Sequence, residues 1–453
     1  MRAPGAGASA STLAGETLAK PHYAGARAIL AASIGNALEW YDFSVYAFFA
    51  IYISRNVFPN QGGAGALINA FLIYGVAFVA RPVGAVLLGA YGDRSGRRAA
   101  LTLSLILMAA GSLCIAVAPP YAVIGLGAPL LILCGRLLQG LSAGGEIGGA
   151  VSFLVEHAPP ERRGAYAAWL QSSMGVSNIL GALTGATLSA ALTPEQLSSW
   201  GWRVPFVLGL SVAPVGLWLR ARLEETPAFE AAKRERSAVE RGAGARAERP
   251  QRLLTSLRDV FVEQPRALAI AAGISIVWVV GVYTLLLYMP TYVQRSLGFS
   301  PSQAFTASVV GNVAMAVGCV LAGRLSDRIG RTLTVRIGTL LLLVGTYPVL
   351  AWVVSTRTVT ALFVGQTLFC AIVSVFTGSV PAVLAALFPA RLRSTGVSLT
   401  YNFAAVVFGG FAPAVLTFLT ESTHNTMAPA FYVVGAAAVS LIALAFVPPG
   451  AAE

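Results

Sequence analysis

One recurrence constrains this chain more than anything else: apolar stretches of about 20 residues, the length a helix needs to cross a bilayer's hydrocarbon, begin near residue 28 and return almost to the end. They read as spans near 28–54, 66–91, 98–118, 123–155, 163–190, 202–220, 266–293, 303–325, 333–354, 358–388, 393–420 and 427–447. A soluble domain with a wetted surface does not carry this pattern, and with 11% charged residues and a mean hydropathy of +0.72 there is little polar material to build such a surface. The expected fold is all-α: about twelve transmembrane helices with the lipid bilayer as solvent.

The net charge of +12 would suggest nucleic acid in a soluble protein, so its placement decides what it means. With the amino terminus inside, 25 of the 31 Lys and Arg residues fall on the cytoplasmic side, Arg55, Arg203, Arg295 and Arg357 fall outside, and Arg81 and Arg136 lie within spans. This is the positive-inside bias, which accounts for the charge without a nucleic-acid partner and places both termini in the cytoplasm. The expected location is a bacterial inner (plasma) membrane, crossed many times.

The chain divides once. Residues 1–27 are Ala/Gly/Ser-rich and read as a disordered cytoplasmic leader; 28–220 hold six spans; 221–265 form a Glu/Arg/Ala-rich cytoplasmic linker; 266–447 hold six more; 448–453 are a short tail. A repeat supports the division, because GAYGDRSGRR at 89–98 returns as GRLSDRIGRT at 323–332, both in the short inner turn between the second and third span of a half. Internal duplication of this kind marks secondary transporters, whose substrate sites lie between the repeats in a central cavity near the midplane. Gly89 and Gly323 allow close helix approach, while Asp93 and Asp327 can cap a helix or pair with arginines such as Arg94, Arg97, Arg328 and Arg331, so the two turns read as gates.

The duplicated turn resembles the signature loop of the major facilitator superfamily, and GRLLQG at 135–140 resembles that superfamily's fourth-span motif, in which the arginine is linked to proton movement. IGNALEWYDFSVYAF at 34–48, VARPVGA at 79–85, QGLSAGGEIGGA at 139–150, WGWRVPF at 200–206 and LEETPAF at 223–229 are similar to the metabolite:proton symporter family, with carriers of citrate, 2-oxoglutarate, shikimate, and proline or betaine. The resemblance implies two six-helix bundles around a central cavity and a monomeric carrier of a small molecule together with a proton. Two departures stand out: Thr332 ends the second turn where Arg98 ends the first, and Trp40 stands where some citrate carriers of the family have Gln.

An ionisable group inside a span is costly unless it faces protein or water, so each is a functional candidate. Asn36, Glu39, Asp42 and Tyr46 follow steps of three, three and four, which puts them on one helical face expected to line the cavity. Two carboxylates a turn apart repel when both are ionised, so Glu39 or Asp42 can take up a proton; the alternative is that they only neutralise Arg81 or Arg136 in a fixed network. Glu146 and Arg136 complete the expected proton-coupling set. The expected substrate contacts are Arg81, Arg136, Trp40, Tyr46 and Gln139 from the first half, and neutral Tyr283, Tyr288, Asn312, Tyr401 and Asn402 from the second.

No cofactor or metal is expected: Cys114, Cys134, Cys319 and Cys370 lack CxxC spacing, and His22, His157 and His424 lie in loops or near span ends. No GxxxxGK[ST] loop and no catalytic motif is present, which argues against ATP drive and against an enzyme with catalytic residues of its own. The leading expectation is proton-coupled symport of a di- or tricarboxylate by alternating access. A zwitterionic osmolyte held by aromatic faces such as Trp40, Tyr41 and Tyr46 is the alternative within transport, and a receptor or sensor that kept the fold is the alternative outside it.

Overall fold

The computed structural model describes residues 26–95, 97–144, 146–211 and 258–450, and among these all regular structure is helical. Eleven long helices follow in order, with the start of another between the fifth and the next: α1 (Ala26–Phe48), α2 (Gly62–Ser95), α3 (Arg97–Ala116), α4 (Gly127–Glu156), α5 (Arg163–Ala191), α6 (from residue 204, described to 211), α7 (Pro265–Ser296), α8 (Pro301–Ile329), α9 (Arg331–Thr356), α10 (Val359–Ala386), α11 (Ala390–Thr423) and α12 (Ala428–Ala445). Each coincides with an expected span. Among the described residues nine helices are long and apolar enough to cross a membrane, namely α2 to α4 and α7 to α12. Of the others, α1 carries Glu39 and Asp42, and α5 buries a polar face of Gln171, Ser173, Ser177 and Asn178. The expected leader and most of the expected linker lie outside the described residues, as do the side chains of Asp93, Arg94, Arg97 and Glu146.

Local chemistry fixes the helix ends. Ser300 and Gln303 form a capping box that starts α8 with Pro301 in its first turn, and Thr358 caps α10 through Ala361 N. Gly330, at φ +101°, makes the tight turn from α8 to α9 that a side chain would strain.

Helix burial separates the centre from the rim. The apolar window of α7 is 83% buried and that of α9 only 33%, which puts α7 inside and leaves Leu340, Leu341 and Val344 of α9 facing outward, as lipid-facing residues do. Within the first half, α4 packs backbone to backbone on α2: a Cβ at Gly140 would stand 2.0 Å from Ala77 O, and one at Gly144 2.0 Å from Arg81 O. Within the second, α9 and α12 flank α7 and α10. The halves meet along α5 and α8, and along α2 and α11, where Phe411 fills the space over Gly75.

Two stretches depart from α-geometry, Val282–Tyr288 in α7 and Ala405–Gly410 in α11, both π-helical. They touch, since a Cβ at Gly409 would meet the Tyr283 ring at 3.1 Å. Such wide turns redirect side chains and recur at functional sites.

Candidate functional site

The residues expected on one face of α1 are all buried. Asn36 Nδ2 donates to Leu170 O (3.0 Å) and Ser173 Oγ (2.9 Å) on α5. Glu39 Oε1 lies 3.4 Å from Arg81 Nη2 on α2. Asp42 sits against Gly209 of α6, near Ser112 and Arg136. Tyr46 OH donates to Ala70 O on α2 at 3.1 Å. Asn36, Asp42 and Tyr46 of this face thus find their partners within the first half, while Glu39, paired with Arg81, stands at the seam near Tyr401 of α11. The neighbouring face of α1 meets the second half, with Trp40 6.0 Å from the Tyr283 ring, Ala47 O accepting from Thr291 at 3.3 Å, and Phe48 against Phe305.

Both guanidiniums are held by rings. Arg81 lies over Phe43 and Phe78 at 4.5 Å from each centroid; Arg136 lies 4.6 Å from Phe43 and 4.7 Å from both Tyr46 and Tyr74. Such contacts hold a desolvated cation without neutralising it. Arg136 Nη1 donates to Gln139 Oε1 (2.7 Å) and Nη2 to Tyr74 O (3.2 Å), while Gln139 Nε2 continues to Ser112 Oγ (2.9 Å). Among the described residues, four buried polar atoms at this locus have no hydrogen-bond partner: Asp42 Oδ1, Tyr74 OH, Arg81 Nε and Arg136 Nε.

The second half contributes phenols. Tyr283 packs on Phe78 at 5.2 Å, and Tyr401, which meets Trp278 at 4.8 Å, joins it within electrostatic reach of Arg81. Glu39, Arg81, Trp40, Tyr283 and Tyr401 thus converge where the halves meet; Asp42, Tyr46, Arg136 and Gln139 form an adjoining network inside the first half. Tyr288 stands apart, accepting from Thr417 Oγ1 at 3.2 Å and touching Phe71. Asn312 lies on the α5–α8 seam, where its Oδ1 accepts from Asn178 Nδ2 at 3.0 Å, and Asn178 in turn bonds Ser44. Asn402 is buried, and Glu146 falls where its side chain is outside the described residues.

The second gate turn joins the halves. Asp327 accepts from Gly164 N through Oδ1 and Ala165 N through Oδ2, both at 2.8 Å, so it caps α5 from across the interface. Arg331 braces that carboxylate at 3.0 Å and donates to Pro160 O at 2.5 Å. Gly323 and Gly164 approach so closely that a Cβ on either would stand 2.8 Å from the other's carbonyl oxygen. Arg328 is exposed, and Gly89 of the first turn is half-buried on α2. At the same end Arg393 Nη1 of α11 pairs with Glu156 of α4 at 2.9 Å.

Sequence reasoning passed over Phe43, Tyr74, Phe78 and Asn178. A signal existed for two of them: Tyr74, Phe78 and Arg81 follow steps of four and three, one face of α2. Among the described residues no group of three or more His, Cys, Asp or Glu side chains is placed to hold a metal ion.

Comparisons with known proteins bear on this arrangement. Residues 28–451 match the family described as Sugar (and other) transporter. The chain is 35% identical over 418 residues to the citrate-proton symporter of Salmonella typhi, covering 92% of this chain and 93% of that one. It is 32% identical over 416 residues to the proline/betaine transporter of Escherichia coli K12, covering 92% and 82%. Among solved structures it resembles a D-xylose-proton symporter (TM-score 0.74, 19% identity, 93% and 97% covered) and the partially occluded inward-open xylose transporter XylE from E. coli (TM-score 0.72, 19% identity, 93% and 97%).

Proposed function

Since this chain belongs to the sugar (and other) transporter family of the major facilitator superfamily, multi-pass membrane carriers of twelve helices in two bundles and not enzymes, we propose that it carries a small organic acid, a di- or tricarboxylate such as citrate or 2-oxoglutarate, in symport with a proton across a bacterial inner membrane. Both termini then lie on the side of the gate turns. The observation that carries this reading is the Arg81–Glu39 pair, buried to 3% and 9% exposure, with aromatic faces against the guanidinium and Tyr283 and Tyr401 of the second half within reach.

The pair supplies the coupling. A cation desolvated to this degree requires an anionic partner, which Glu39 provides in the empty carrier. When a proton neutralises Glu39, Arg81 is left with a planar fork of donors and no counter-charge, and an incoming carboxylate completes it while Tyr283 and Tyr401 donate from the second half. Proton and anion thereby favour each other's binding. Asp42, with a buried unpaired oxygen beside Arg136, is a second proton acceptor in the same network. Alternating access follows if the Asp327 and Arg331 contacts at one end break as the opposite end packs.

A zwitterionic osmolyte is the second reading, favoured by the likeness to the proline/betaine transporter. The ring faces weigh against it. Phe43 and Phe78 already lie against the Arg81 guanidinium, and Trp40 packs on Tyr283, so a quaternary ammonium would have to displace a guanidinium to reach the first two rings. Calorimetric titration of the purified carrier with citrate and with betaine, from pH 8 to pH 6, separates the two. Citrate binding that tightens as pH falls, until citrate itself protonates, supports the organic-acid reading; pH-independent betaine binding without citrate binding overturns it.

A further inference from the structure

The end opposite the gate turns holds a cavity of about 410 Å³ that the reading above leaves unused. Two of its walls carry the same text. Tyr52-Ile53-Ser54-Arg55 follows α1, and Tyr292-Val293-Gln294-Arg295 closes α7; each runs Tyr, β-branched, polar, Arg, with a Phe shortly after, Phe58 and Phe299. Arg55 and Arg295 stand in the last turns of their helices. Since α1 and α7 each open a half, the duplication visible in the gate turns also sets one arginine on each side of this mouth. Both line the cavity, together with Ser54, Gln294 and Ser189, and its described lining includes no carboxylate.

The two arginines differ in how they are balanced. Arg295 Nε donates to Glu421 Oε1 at 3.2 Å with both side chains more than a third exposed, and its Nη atoms lie against the start of α2, where a Cβ at Gly63 would meet Nη1 at 3.0 Å. Arg55 is exposed and, among the described residues, makes no ion pair. The mouth therefore carries net positive charge within concave, low-dielectric walls, a geometry that concentrates anions and speeds their capture. Its volume falls within the range of small-molecule sites.

We propose that this mouth is an encounter site for small organic polyanions, in which a di- or tricarboxylate is held between Arg55 and Arg295 before it moves to the buried centre. Anion capture rests on the two arginines alone; that the anion is the transported carboxylate rests on the function proposed above. A guanidinium on each side suits a molecule with carboxylates at both ends, and the partly solvated setting makes the hold weak and salt-sensitive, as an entry station requires.

The test reads local potential and not transport. Gln294→Cys is introduced into the full-length chain with its four native cysteines replaced by serine, and reaction rates with anionic and cationic methanethiosulfonates of similar size are compared, with a neutral reagent reporting that the mouth is intact. The anionic reagent is expected to react faster. Arg55→Gln should lower the anionic-to-cationic ratio by about sevenfold at low salt, because one charge about 7 Å away in water shifts each reagent by about 0.6 kcal/mol in opposite directions, and by much less at 0.5 M salt. Citrate at matched ionic strength should slow labelling of the parent and not of the Arg55→Gln/Arg295→Gln double variant. A ratio unmoved by Arg55→Gln, or citrate protection that survives in the double variant, overturns the proposal. If no carboxylate is taken up while both labelling results hold, the symport reading falls and the encounter site stands.

Discussion

At the residue scale the account rests on Arg81. Its Nη2 faces Glu39 at 3.4 Å, its guanidinium lies over the adjoining rings of Phe43 and Phe78, and its Nε is unpaired, so it is held in place while donor capacity remains free. Lysine keeps the charge and loses the fork. Arg81→Lys is therefore expected to weaken carboxylate binding by about tenfold or more, the loss of roughly 1.5–3 kcal/mol for a hydrogen bond to a charged group, measured by the same titration. The pair also makes a stability prediction. Arg81→Leu takes the guanidinium away from a buried carboxylate and should cost about 3–5 kcal/mol, lowering the thermal midpoint in detergent, whereas Arg81→Leu combined with Glu39→Leu should recover part of that loss. A double variant as unstable as the single one would show that the two side chains do not act as a pair.

At the element scale, close backbone contact and a cross-interface cap decide what moves. Gly140 and Gly144 let α4 lie against α2 and set the distance between Arg136 and the α2 rings, so Gly140→Val must push Ala77 O away. It is expected to cost about 1–3 kcal/mol at least and to lower the yield of monodisperse protein, while the same change at Gly149, where a Cβ meets nothing within 4 Å, should not. Asp327 behaves differently, because it caps α5 from the other half and lies outside the centre. Asp327→Asn weakens a charged cap worth about 0.5–2 kcal/mol, so turnover should fall while citrate affinity measured by titration stays within about twofold. Affinity falling in parallel with turnover would place Asp327 in or beside the binding site. Much of this scale was legible in the sequence, since span-length apolar stretches survive any packing and the repeated turn marks its own position. What the spacing could not say was which way α1 is rotated. Asn36, Glu39, Asp42 and Tyr46 share a face in the sequence, but that Asp42 sits beside Arg136 inside the first half while Glu39 meets Arg81 at the seam follows from where those arginines stand on other helices. Phe43 and Tyr74 look like ordinary core residues until a guanidinium is seen against them, and the Asn178–Asn312 bond links positions 134 residues apart with no local pattern to announce it.

At the scale of the whole molecule, charge is asymmetric between the halves: α1 and α2 bring the buried ion pair, α4 brings Arg136, α7 brings Tyr283 from its π-helical stretch, and α11 brings Tyr401 from the turn just before its own. Under the proposed function the first half takes the proton and the second closes on the substrate, so that neither ligand is held well alone. Coupling can then be read directly in proteoliposomes loaded at neutral pH and diluted into acidic buffer, with radiolabelled citrate outside and internal pH followed by a trapped dye. The account predicts that citrate enters only while the proton gradient stands, that internal acidification accompanies it above the leak without citrate, and that a protonophore abolishes accumulation. Citrate accumulation undiminished by the protonophore and sustained by a sodium gradient would contradict it.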